Sequence, residues 1–138
     1  MISKADVLVE NFRPGTMAKL GLAPDELLKL NPRLIVCSIS GYGQYGNLHQ
    51  NAAYDTVIQA LSGMMDATGF PTGGPTRVGT SIADLAAEVY GFAAISTALY
   101  AREKTGCGTT IDITMLDCLF ALRNLCNIVY NFLITELC

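Results

Sequence analysis

The order of elements predicted for the first forty residues limits the fold more than any other feature of the sequence. Residues 6–11 ("DVLVEN") and 33–40 ("RLIVCSIS") are short apolar stretches rich in Val, Leu and Ile, which favours buried strands. Two short helices are predicted between them, over residues 16–20 and 24–30. A strand, a helical connection and a second strand predict a βαβ unit with a right-handed crossover in a parallel sheet.

The rest of the chain continues to alternate helices with strands. Further helices are predicted over residues 53–64, 81–104 and 116–137, and a further strand over residues 109–114. The segment 66–80 is rich in glycine and proline and is predicted to be irregular. The helix over 81–104 is apolar on several faces and is expected to be largely buried. The pattern predicts an α/β fold, part of a Rossmann-like, doubly wound and mostly parallel sheet with buried helices.

The composition excludes several classes of function. With 138 residues, of which 51% are hydrophobic, the chain is about one domain long and can bury a core. Its formal charge of −3 and scattered basic residues leave no basic stripe for a nucleic acid. Five cysteines without a C-x-x-C pair are typical of a reducing, cytoplasmic compartment. No signal peptide, membrane span or membrane partner is predicted.

The segment Gly41 to Gly46 has the spacing G-x-G-x-x-G directly after a predicted strand. In a dinucleotide site the third glycine opens a helix whose N-terminus faces a pyrophosphate. Here "NLHQN" follows without a cap or a helical period, so dinucleotide binding is the minor alternative. The single histidine, His49, has no second His or Cys at ligand spacing, so it is interpreted as a surface residue and no metal site is predicted.

One carboxylate, Asp84 in "RVGTSIADLAAEVYG", is open to two interpretations. Ser81 and Asp84 fit a capping box, with Ser81 as the N-cap and Asp84 at the third helical position. The unpaired amides and the positive end of the helix dipole also favour an ionised carboxylate in that turn. Such a carboxylate, beside a glycine-rich loop, can attack an activated acyl group. The residues alone do not choose between a cap and a nucleophile.

Five segments, "ADVLVENFRPG", "LNPRLIVCSISGYGQYG", "AAYDTVIQALSG", "VGTSIADLAAEVYG" and "KTGCGTTIDITMLD", follow one another along the chain. Together they resemble the class III coenzyme A transferases, a family that includes formyl-CoA and carnitine CoA transferases and the acyl-CoA racemases. The resemblance extends to about Leu125. It implies an enzyme that moves CoA from an acyl-CoA thioester to a small carboxylic acid, with the thioester as substrate and no permanently bound cofactor.

The resemblance also implies roles for individual residues. Asp84 falls on the family's catalytic nucleophile, which acts through covalent aspartyl intermediates. Asn11 and Phe12 fall on positions that line the CoA site, and Tyr54 on one beside the thioester. Lys19 matches a position near the CoA phosphates. The alternatives are a strand-end turn for Asn11, core packing for Phe12 and Tyr54, and a solvated helix face for Lys19.

Two further expectations follow from the resemblance. Racemase members carry a histidine where Tyr54 stands, and tyrosine is a poor base at neutral pH, so a transferase is favoured over a racemase or epimerase.

Family members are several times longer and form interlocked homodimers. Residues 1–138 are therefore expected to be the central part of the large domain, truncated at both ends, with about 116–138 leading toward a missing second domain. Apolar helix faces that are exposed where the missing segments would pack are the expected physical sign of this truncation. The resemblance leaves open whether residues 1–138 are active alone.

Overall fold

The computed structural model describes residues 1–124 and is built around a sheet of three parallel strands. The strands are β1 (Val7–Glu10), β2 (Ile35–Ser40) and β3 (Thr109–Thr114), and they lie side by side in chain order. Ile35 is opposite Val7 on one side and Thr109 on the other. The predicted α/β fold with a parallel sheet is confirmed, and each strand lies within two residues of its predicted position.

Helices connect the strands, after a single 3-10 turn at Ile2–Lys4. They are α1 (Thr16–Lys19), α2 (Pro24–Leu30), α3 (Asp55–Leu61), α4 (Met64–Thr68) and α5 (Ile82–Thr105). The helix predicted over 53–64 is confirmed as α3, but it ends at Leu61, because Gly63 adopts a left-handed φ of 75° and separates α3 from α4. Helix α4 extends to Thr68, so the prediction that the segment 66–80 is irregular is wrong at its start. A further helical segment covers residues 115–124, and the remainder of the helix predicted to 137 lies outside the described residues.

Alternating side chains of β2 enter two separate cores, one on each face of the sheet. Leu34 and Val36 pack with Met17 of α1 and Leu27 of α2. On the opposite face Cys37 belongs to a larger core, whose other buried members are Ile58, Ala83, Ala86, Ala87, Ile113, Met115, Cys118 and Leu119. Because helices cover both faces, the three strands have the layering of a doubly wound sheet.

Helix α5 is less buried than its sequence predicts. Its small residues from Ala83 to Gly91 lie on the core side, whereas Val89, Phe92 and Tyr100 are 67%, 74% and 69% exposed. The expectation of a largely buried helix is wrong, because α5 buries one narrow face, formed by these small residues and by Arg102 near its end. Within residues 1–124, α5 is also the one helix with the length and hydropathy of a membrane span, a property that core helices of soluble proteins share.

A substitution at Gly91 tests how α5 packs on the sheet. A Cβ atom added there would lie 3.7 Å from Ile39 Cδ1 and 3.9 Å from Ile113 Cγ1, which is ordinary van der Waals contact. Gly91→Ala is therefore expected to raise the free energy of unfolding by about 0.5–1 kcal/mol, because alanine loses less backbone entropy in a helix. Urea denaturation measures this.

The matched control is Gly108→Ala, at the start of β3. There the new Cβ would overlap the carbonyl group of Leu34, so this alanine is expected to destabilise the protein. A destabilised Gly91→Ala variant would contradict the described packing of α5 on the sheet.

Candidate active site

Asp84 lies in the first turn of α5, at the carboxyl edge of the parallel sheet. The helix begins at Ile82 with Ser81 at the N-cap position, so Asp84 is the third helical residue, as predicted. Asp84 is half-buried and opens onto a cavity of about 300 Å³. The cavity is lined by Asn11, Ile39, Asp84, Ala87, Glu88 and Met115. Three of them, Asn11, Ile39 and Met115, come from the carboxyl ends of the three strands, the place where open α/β sheets bind ligands, and the other three belong to α5.

The cap of α5 differs from the predicted capping box. The side chain of Ser81 makes no capping hydrogen bond, because its ψ of 66° departs from the extended conformation that aims a cap hydroxyl into the first turn. Instead the Ala83 N–H donates to Oδ1 of Asp55, at 2.9 Å. The cap position of Ser81 is confirmed and its capping role is wrong, since a carboxylate from α3 takes that role.

The electrostatics of Asp84 also differ from the expectation. Burial raises the pKa of the Asp84 carboxyl, and the negative charges of Asp55 and Glu88 raise it further. The expected stabilisation of the charged form by the helix N-terminus is thus outweighed. Asp84 is a more basic carboxylate than a solvated aspartate, and a more basic carboxylate is the stronger nucleophile once it is ionised.

Three of the residues implied by the resemblance line a second cavity, of about 190 Å³. Asn11, Phe12 and Tyr54 contribute to its wall, and Asn11 and Met115 are shared with the cavity of Asp84. Phe12 and Tyr54 are 52% and 72% exposed, so core packing, the alternative interpretation for both, is wrong. The structure therefore brings Asn11, Phe12, Tyr54 and Asp84 to two adjoining cavities.

Lys19 is not brought to these cavities. It is exposed in the last turn of α1 and lines neither of the two. This placement agrees with a solvated helix face, and the role of Lys19 near CoA phosphates stays a prediction.

The glycines between Gly41 and Gly46 shape a loop and do not open a helix. Gly43 has a left-handed φ of 82° and lies beside Asp112 of β3. A carboxylate oxygen of Asp112 accepts a hydrogen bond from the next backbone N–H at 2.8 Å, which fixes the loop to the sheet. Residues 47–50 form a turn, and the next helix is α3, at Asp55. The dinucleotide alternative is wrong, because no helix N-terminus follows the third glycine.

Within residues 1–124, the other candidate nucleophiles and metal ligands are the single histidine and three cysteines. His49 is half-buried in the wall of the second cavity, with Nδ1 2.6 Å from the carbonyl oxygen of Gly46. No group of three His, Cys, Asp or Glu side chains in this range is arranged to hold a metal ion. Burial raises the pKa of the Cys37 thiol, and that of Cys118 to about 11, so both are neutral thiols at pH 7.

Sequence reasoning missed three polar residues at the site. Asp55 and Gln59 are buried together on α3. Their spacing of four residues places them on one face of a helix, and this spacing could have indicated a polar pair. Ser40, at the end of β2, is 7% exposed and lines the second cavity. Its Oγ has no hydrogen-bond partner among the described residues, so a polar ligand group in that cavity would satisfy it.

The described residues define an α/β protein with a half-buried carboxylate beside a cavity at the carboxyl edge of a parallel sheet. The sequence profile of CoA-transferase family III matches residues 1–131. This match shows that the chain belongs to CoA-transferase family III, a family of enzymes, and it confirms the resemblance stated above.

Individual proteins of known name or structure are also similar to this chain. The chain is 59% identical over 118 residues to the acetyl-CoA:oxalate CoA-transferase of Acetobacter aceti, which covers 85% of this chain and 30% of that protein. It is 42% identical over 131 residues to the human succinyl-CoA:glutarate CoA-transferase, which covers 95% of this chain and 30% of that protein. A crystal structure of a CAIB/BAIF family protein from Brucella suis superposes with a TM-score of 0.87 at 39% identity, covering 98% of this chain and 35% of the other. The chain thus spans about a third of the length of these relatives.

Proposed function

We propose that the protein carrying this chain transfers CoA from an acyl-CoA thioester to a small carboxylic acid through Asp84. The observation that carries the proposal is the position of Asp84, half-buried at the start of α5 and open to the cavity at the ends of the strands. Two of the relatives named above are an acetyl-CoA:oxalate and a succinyl-CoA:glutarate CoA-transferase, which supports a small carboxylic acid as acceptor.

The proposed reaction exchanges one acyl bond for another at each step. A carboxylate oxygen of Asp84 attacks the thioester carbonyl carbon, the carbon–sulfur bond breaks, and CoA leaves as a thiolate. The thiolate attacks the aspartyl carbonyl of the mixed anhydride, which releases the donor acid and leaves an aspartyl-CoA thioester. The acceptor carboxylate attacks this thioester and expels the thiolate again. Attack of the thiolate on the acceptor carbonyl then gives the new acyl-CoA and frees Asp84.

The residues around Asp84 support this chemistry. An ionised carboxylate attacks the thioester without the help of a general base. The proposed reaction therefore does not need a histidine beside Asp84, and the chain contains a single histidine. Asn11 lines the cavity of Asp84, and its side-chain amide can donate a hydrogen bond to the negative oxygen that develops on the thioester. The adjoining cavity, with Phe12 and Tyr54, is the proposed path of the CoA arm toward Asp84.

Racemisation is the competing reaction within the same family, and the residue at position 54 separates the two. Because Tyr54 is a poor base, we expect the protein to transfer CoA from a chiral 2-methylacyl-CoA to an acceptor acid in deuterated water without exchange at the α-carbon. Mass spectrometry of the recovered acyl-CoA measures the exchange. Deuterium at the α-carbon without any transfer would establish a racemase instead.

We further propose that the full-length protein is an interlocked homodimer of the cytoplasm and that residues 1–138 form the central part of its large domain. The exposed Val89, Phe92 and Tyr100 on α5 support a covering surface outside the described residues. Light scattering of the full-length protein is expected to give the mass of a dimer, and a monomer at micromolar concentration would contradict this assembly.

A further inference from the structure

A buried carboxylate on α3 holds the first turn of α5. Asp55 is 8% exposed, and both of its carboxylate oxygens are hydrogen-bonded. Oδ1 accepts from the Ala83 N–H at 2.9 Å, and Oδ2 accepts from Nε2 of Gln59 at 2.7 Å. The amide at the second helical position of α5 would otherwise be an unpaired donor in the protein interior, so Asp55 satisfies a group that Ser81 leaves free.

Gln59 extends the same network to the residues just before α5. Its side chain is fully buried, and Nε2 also reaches the carbonyl oxygen of Thr80 at 3.2 Å. Its Oε1 accepts from the Val78 N–H at 2.9 Å. Two side chains one turn apart on α3 therefore hold the backbone at residues 78, 80 and 83. These residues lead from the glycine-rich segment directly into Asp84.

We propose that Asp55 and Gln59 are positioning residues that hold residues 78–84 so that the Asp84 carboxylate faces the thioester. This inference rests on the proposed function, because it assigns the network to the reaction of Asp84. Misplacing a reacting group by about 1 Å can cost on the order of 10²-fold in rate, so a fixed first turn has a direct catalytic value. A network that only stabilised the fold would leave the turnover of the folded protein unchanged.

Asp55 also acts on Asp84 through its charge. Its negative charge raises the pKa of Asp84, as does that of Glu88 one turn further along α5. Strand β2 carries no charged side chain. Glu10, at the end of β1, is 8% exposed and accepts a hydrogen bond from the Phe12 N–H. Asp112 lies on the opposite face of β3 from the core residue Ile113. Arg77 lies 4.0 Å from Asp55, Asp117 is exposed, and Arg123 lies beside Gly63. The other charged side chains of α5, at 102–104, are at its far end. Removing the charge of Asp55 therefore lowers the pKa of Asp84.

Two variants of the full-length protein separate positioning from charge. Asp55→Asn keeps an acceptor for the Ala83 N–H, removes the charge and places an amide donor against Gln59. It is expected to lower kcat by about 10-fold to 100-fold and to move the acid limb of the kcat/KM profile to lower pH. Gln59→Leu removes the contacts to Thr80 and Val78 without a change in charge. It is expected to lower kcat and leave the acid limb in place, with KM for the acyl-CoA little changed in both variants.

The matched control is Asp66→Asn, which removes an exposed carboxylate from α4 and is expected to keep the wild-type kcat and acid limb. Circular dichroism confirms that each variant is folded. A wild-type kcat in folded Gln59→Leu overturns the positioning role, even if Asp55→Asn does not fold. An unmoved acid limb in folded Asp55→Asn overturns the effect of its charge. Failure of the proposed function gives a different result, since Asp84→Asn would then retain activity.

Discussion

Replacing Asp84 by asparagine is expected to lower kcat for CoA transfer by at least about 10³-fold, the order lost when a covalent nucleophile is removed. Asparagine keeps the size of the side chain at the third position of α5, so the fold and the cavity should persist. Its neutral amide does not form the mixed anhydride with the donor acyl group. Chromatography of the CoA esters measures the loss, with the donor and acceptor pairs named for the two relatives, acetyl-CoA with oxalate and succinyl-CoA with glutarate, as the first substrates to test.

The control for this prediction is Asp117→Asn. Asp117 is the third residue of the helical segment 115–124, is exposed and lies outside both cavities, so the same chemical change is made at a comparable helix position. This variant is expected to transfer CoA at the wild-type rate. Transfer by Asp84→Asn at a rate close to that of Asp117→Asn would contradict the role of Asp84.

The second large effect is expected at Gly41, which follows β2 and touches the segment that leads into α3. A Cβ atom on residue 41 would overlap Cβ of Ala53, while Cα of Ala53 lies 3.5 Å away. Gly41→Ala is therefore expected to lower the free energy of unfolding by about 1–3 kcal/mol, the usual cost of overpacking. Because Tyr54 and Asp55 follow Ala53 directly, transfer activity is expected to fall as well.

The double variant Gly41→Ala with Ala53→Gly isolates this contact. Removing the methyl group of Ala53 makes room for the new one, so the double variant is expected to be more stable and more active than Gly41→Ala alone. This double-mutant cycle compares the wild type, both single variants and the double variant by their denaturation curves and transfer rates. Strictly additive losses would show that residues 41 and 53 do not pack as described.

The sheet was predictable because its strands have local signals. Apolar, β-branched runs predict strands, and β2 is buried along almost its whole length as predicted. The expectation of a buried strand is wrong for β1, where Val9 is 54% exposed, and β3 is exposed at its first two residues. The exposure of α5 was not predictable in the same way. A hydropathy pattern counts apolar residues such as Phe92 but contains no information about which surface covers them.

In the candidate site, too, local features were predictable and contacts between distant residues were not. The spacing from Ser81 to Asp84 was sufficient to place Asp84 in the first turn of a helix. The cap itself comes from Asp55, 28 residues away from its partner in sequence, and such a contact has no local signature. The direction of the pKa shift of Asp84 depends on burial and on through-space charges, so a rule based on the helix terminus alone gave the opposite sign.

The proposed covalent intermediate on Asp84 can be trapped chemically. Full-length wild-type protein is incubated with acyl-CoA in the presence of hydroxylamine or borohydride, digested, and analysed by peptide mass spectrometry. A hydroxamate or a reduced side chain is expected at Asp84 in samples with the thioester and is expected to be absent from samples without it. An unmodified Asp84 in protein that is turning over, or an adduct on a different residue, would contradict the proposed intermediate.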